Sequence, residues 1–89
     1  MISVRQGGDG IRLVRHEESL LVPINVLSAR IESHDLVVRV RDLVTGAEFE
    51  CRGGLNDVWD CVRGRVPPID PRAKRGFIML IRELLKGDP

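Results

Sequence analysis

The sequence predicts an α+β domain: an antiparallel β-meander of five to six strands over residues 1–52, one face of it covered by two C-terminal helices, at about 56–63 and 71–86. Three observations predict it. Apolar and charged residues alternate with period two through residue 52, Gly53-Gly54 ends the alternation, and beyond it apolar residues recur at helical spacing. Strands first and helices after is the order of folds whose helices gather on one face of an antiparallel sheet. With 89 residues the chain makes one domain, 1–89, small enough for its core to be thin.

Ile2 and Val4 alternate with Ser3 and Arg5 in a first strand, and Gly7-Gly8-Asp9-Gly10 turns the chain. A second strand covers Ile11 to His16, with a turn at Glu17-Glu18-Ser19. A third covers Leu20 to Ile24, where Pro23 has no donor for a ladder and so marks an edge or a bulge. Leu27, Ala29 and Ile31 then alternate with Ser28, Arg30 and Glu32. After Ser33-His34-Asp35, Leu36, Val38 and Val40 alternate with Val37, Arg39 and Arg41. After Val44-Thr45-Gly46, Ala47, Phe49 and Cys51 alternate with Glu48, Glu50 and Arg52. The result is one apolar and one charged face, as a sheet wet on one side requires. The charged face mixes both signs, so its neighbours satisfy one another.

Leu55, Val58, Trp59 and Val62 set the first helix, with Asn56 as N-cap, acids near the start, Arg63 at the end and Gly64 as the stop. Val66-Pro67-Pro68 is a rigid joint. Asp70-Pro71 opens the second helix, a capping carboxylate followed by proline at the first helical position, and Gly87 and Pro89 stop it.

Arg63, Arg65, Arg72, Lys74 and Arg75 crowd residues 63–75 against the single acid Asp70, in a chain of net charge +1. Arg72, Lys74 and Arg75 fall in the opening turn of the second helix, where its dipole disfavours cations. A local rule broken this way marks a candidate surface for an acidic partner or a phosphate; the competing reading is neutralisation by Glu48, Glu50, Asp57 and Asp60. The second helix is also broadly apolar. Ala73, Phe77, Leu80, Ile81, Leu84 and Leu85 suffice to pack on the sheet, and Ile78 and Met79 widen the stripe beside Arg82. Ile78, Met79 and Arg82 are therefore the expected interface of a homodimer, since small domains often complete their cores by association.

Other chemistries find little support. Cys51 and Cys61 lack CxxC spacing and read as small buried hydrophobes, with neither metal nor disulfide expected. His16 and His34 fall in turns without a nucleophile beside them, so no catalytic residue and no cofactor is assigned. Gly7 to Gly10 lacks both the spacing and the following helix of a phosphate loop. Only Phe49, Trp59 and Phe77 are aromatic, too few and too apolar in setting to stack bases, so nucleic acid could be held only through arginines. The opening residues carry no apolar leader, and a reducing, cytoplasmic location is expected. Taken together, the residues imply a small non-enzymatic interaction module, homodimeric, binding an acidic macromolecular partner, protein ahead of nucleic acid; the alternative is a weakly specific nucleic-acid or phosphate binder through residues 63–75. No membrane or small-molecule partner is expected.

Overall fold

A computed structural model describes residues 2–66 and 69–87. The fold is α+β: six strands in two antiparallel three-stranded sheets, then two helices. The first sheet contains β1 (Ile2–Gly7), β2 (Gly10–Arg15) and β3 (Glu18–Val22) in sequence order. The second contains β4 (Ile24–Glu32), β5 (Asp35–Asp42) and β6 (Glu48–Gly53). The single meander read from the pattern is thus divided, and Pro23 is the dividing point. Lacking an N–H, it cannot continue the β2–β3 ladder, and β4 starts afresh at Ile24 in the other sheet.

Side-chain amides join the two sheets. Gln6 Nε2 donates to the Val26 carbonyl (2.9 Å), and the Val26 N–H donates to Gln6 Oε1 (2.6 Å). Asn25, with its NH2 turned toward the other sheet, donates to the Gly7 carbonyl (3.0 Å). The Gln6 amide stands where a strand's peptide group would otherwise pair with β4.

Strict alternation is broken in two places, and a bulge accounts for the first. The β4–β5 register shifts between Val26 and Ser28, so Leu27 is the extra residue and turns out to solvent. Of the three residues expected to face the core, Leu27 and Ile31 are exposed and Ala29 is only partly buried. Val37, expected on the wet face, is 0% exposed. Its cross-strand neighbours are Arg30 and Arg52, and the aliphatic stems of such residues cover a small side chain while their charged ends stay wet. Those ends form a closed net. Arg30 pairs with Glu32 and with Glu50 (3.5 Å), Arg52 with Glu32 (3.2 Å), Arg39 with Glu48 (3.2 Å) and Arg41 with Glu48 (2.6 Å). The charged face is therefore satisfied from within, and Glu48 and Glu50 do not reach residues 63–75.

α1 (Leu55–Arg65) packs against β5 and β6 and buries Val58, Trp59 and Val62. Its cap is Gly54, not Asn56: Asp57 Oδ2 accepts from the Gly54 N–H (2.9 Å). Gly64 does not stop it. The helix runs one residue further, and Val66 caps it with extended backbone. A 3-10 turn (Pro71–Ala73) leads into α2 (Lys74–Lys86), which packs against β1 and β4 and ends at Gly87, whose φ is 67°. The joint at Pro67-Pro68 and the stop at Pro89 lie outside the described residues.

Cys51 and Cys61 form a disulfide, with their Cα atoms 5.8 Å apart. This corrects the reading of both as unpaired hydrophobes. Cys51 points into the core from β6, and Cys61 lies on the face of α1 that crosses it. The bond ties the helix to its strand. Among the described residues no helix is long and apolar enough to cross a membrane, and no cluster of His, Cys, Asp or Glu could hold a metal ion.

Candidate functional site: a basic cleft between β2 and α2

The start of α2 sits unusually close to β2. A Cβ built on Gly76 would lie 2.6 Å from Leu13 Cγ and nearer still to Cδ2. Only glycine permits this approach, and it brings the first turn of α2 over the end of β2. Between them lies a small cleft of about 60 Å³ whose floor is Ile2, Leu13 and Leu20 and whose rim is Arg15, Glu18, Arg72 and Arg75. An adjoining shallow depression shares Arg15, Arg72 and Arg75 and adds Pro71, Lys74 and Ile78.

The cations around this cleft divide into two kinds. Arg72 is neutralised locally. Its guanidinium folds back on Asp70 (2.8 Å) and reaches Glu18 of β3 (3.2 Å). Asp70 Oδ1 also accepts the Arg72 backbone N–H (2.9 Å), capping the turn as expected. The Arg72 side chain first, and this backbone bond second, hold the Asp70 carboxyl below the ordinary aspartate range. Arg15, Lys74 and Arg75, in contrast, have no acidic partner among the described residues. Two of these unpaired charges, Arg15 and Arg75, border the apolar floor, and Lys74 lines the adjoining depression.

Of the five cations read as one patch, the structure keeps Arg72, Lys74 and Arg75 together. Arg63 and Arg65 belong to the end of α1, where the Arg63 guanidinium lies 5.8 Å from the Trp59 ring centre and that of Arg65 lies 5.2 Å from Phe49. Both stack on aromatic faces and line neither depression. Arg15 was not anticipated. Its signal was present, since Ile11, Leu13 and Arg15 share one face of β2 by period two, and Arg15 ends a row of otherwise buried residues. Of the expected dimer residues, Ile78 lines the basic depression, Met79 is half-buried and Arg82 is exposed. Of the expected neutralising acids, Glu48 and Glu50 are engaged in the net on the sheet and Asp57 at the α1 cap, while Asp60 forms no ion pair among the described residues. Glu18 and Asp70 act in their place.

His16 and His34 occupy hairpin turns with positive φ (55° and 73°). Trp59 and Phe77 pack on each other in the core with ring centres 5.4 Å apart, and Phe49 is covered by Arg65. Comparison with known proteins gives no match: no family model fits the chain, and neither a curated protein nor a solved structure is similar to it.

Proposed function

We propose that this protein is a small non-enzymatic interaction module that docks an acidic segment of a partner protein in the cleft between β2 and α2. One observation carries the reading: Arg15 and Arg75, without acidic partners among the described residues, border an apolar floor of Ile2, Leu13 and Leu20, and Lys74, equally unpaired, lines the adjoining depression. A ligand that matches this arrangement brings one aliphatic side chain for the floor and carboxylates for the rim. Arginine favours carboxylate through its paired donors. Both β2 and α2 are regular elements, so the cations project from a stiff base and little ordering is needed on binding.

Nucleic acid is the weaker fit. Base stacking needs exposed aromatic faces, and here Trp59 and Phe77 are buried while Phe49 lies under Arg65. The disulfide bears on location within the same proposal. Such bonds persist in oxidising compartments, so the expected cytoplasmic setting loses its argument from cysteine usage.

The test is fluorescence anisotropy at low salt, with a labelled peptide carrying a leucine between aspartates and glutamates, against mixed-sequence DNA and RNA. Peptide should saturate and nucleic acid should not. Arg15→Glu with Arg75→Glu should abolish peptide binding and leave the circular dichroism unchanged. Saturable nucleic-acid binding, lost in the same variant, would replace this reading. With three free cations its log–log salt slope on duplex DNA could not be steeper than about −2.7.

A further inference from the structure

The outer edge of β4 is an open strand. The Ser33-His34 turn has positive φ at both residues (48° and 73°), the geometry of a two-residue hairpin, and Glu32 and Asp35 close it. In such a hairpin the closing pair is the hydrogen-bonded one, and residues alternate thereafter. Glu32 and Arg30 therefore bond inward to β5. Ile31 and Ala29 present N–H and C=O outward, and among the described residues no partner meets them. The Gln6 amide occupies this edge only at Val26. Ile31 is 60% exposed, although its neighbour across the ladder, Leu36, is buried.

We propose that this edge pairs with the same edge of a second copy of the chain, antiparallel about a two-fold axis at Ile31. The register is self-complementary. Ile31 falls opposite Ile31 of the second copy, Arg30 opposite its Glu32, and Glu32 opposite its Arg30. Ile31 lies on the apolar face with its copy, while the two ion-pair nets meet on the other face. Backbone groups at Ile31 gain partners, and the two β4–β5–β6 sheets become one of six strands. The open edge of β3 lacks this match: it stops short of Pro23 and carries no alternating charge about its centre. The inference is independent of the basic cleft, which lies on different elements.

Sedimentation equilibrium from about 10 micromolar to about 1 millimolar tests it, a range suited to a short interface. The wild-type mass should rise toward twice 10.0 kDa. Ile31→Pro removes one outward N–H and no ladder bond to β5, so it should remain folded by circular dichroism and monomeric. Arg30→Glu alone and Glu32→Arg alone place like charges opposite each other in a homodimer and should each be monomeric. Mixed in equal amounts they should form a heterodimer, because every facing pair is then opposite in sign. A wild-type monomer throughout, a dimer that survives Ile31→Pro, or a mixture that stays monomeric overturns the proposal. So does a dimer abolished by Met79→Glu and not by Ile31→Pro, which would place the interface on α2. The Arg15→Glu/Arg75→Glu variant should dimerise as wild type does, whatever becomes of peptide binding.

Discussion

Gly76→Ala should destabilise the fold although it improves a helix. In an exposed helix interior the exchange is worth up to about 1 kcal/mol in favour of alanine. Here the new methyl would stand 2.6 Å from Leu13 Cγ and closer to Cδ2, where ordinary carbon contacts lie near about 3.5–4.0 Å. Leu13 is buried in the main core, and its one opening is toward the small cleft that it floors. Either its rotamer changes or α2 lifts from β2, and overpacking of this kind costs about 1–3 kcal/mol. Against a propensity gain of up to about 1 kcal/mol, the net loss should be up to about 2 kcal/mol, which lowers Tm by about 4–8 °C per kcal/mol in a domain of this size. Urea denaturation of a double-mutant cycle separates the terms. Leu13→Ala alone should cost about 2–5 kcal/mol through its cavity. Adding Gly76→Ala to it should restore part of that loss, since the methyl then enters vacated space. Opposite signs in the two backgrounds are the expected outcome. A stabilising Gly76→Ala in the wild type, or an equal loss in both backgrounds, would refute the close approach and with it the seating of the cleft.

Cys51→Ala with Cys61→Ala should cost about 2–3 kcal/mol, the chain-entropy value for a loop of this length, read as a drop in urea midpoint; thiol counting on native protein that finds two free cysteines would refute the pairing. Replacing Ser33-His34 by Asn-Gly should raise stability by about 1–2 kcal/mol, because two L-residues now hold left-handed backbone that Asn and Gly adopt at lower cost; no rise in Tm would show that this turn is unstrained. Hydrogen bonds from Arg30 and from Arg41, respectively, hold the Glu32 and Glu48 carboxyls below their ordinary value of 4.5, as Arg72 holds Asp70 below 3.8. Depressed carboxylates stabilise the fold above the unfolded-state value, and that contribution is lost as pH falls through the folded-state value. Tm should thus be level above pH 4.5 and decline below it, with a shallower decline in high salt because all three groups reach solvent; an acid limb insensitive to salt would refute the role of these pairs.

The class of fold could be read because period two and period 3.6 are local properties. The alternation from Leu36 to Arg41 and from Ala47 to Arg52 survives folding nearly intact, and so does the start at Asp70-Pro71. The division into two sheets was not legible, because Pro23 shows only that a ladder cannot continue, not where the chain goes next. The bulge at Leu27 was hidden for a related reason. One extra residue reverses the parity of everything before it, and Leu27-Ser28-Ala29 alternates equally well on either count. Cys51 and Cys61 belong to different elements, and only the crossing of α1 over β6 sets their separation.

The site was half legible, and the missing half explains the visible one. Cations in the first turn of a helix oppose its dipole, and the sequence showed three of them without showing what offsets them. Arg72 is offset by Asp70, two residues away, and by Glu18, which only the fold brings near. Lys74 and Arg75 have no such relief among the described residues, and the fold adds Arg15, a third charge of the same sign, from β2. If the cleft takes an acidic segment as proposed, carboxylates entering it lower the repulsion among these cations, and the site discriminates by sign before it discriminates by shape.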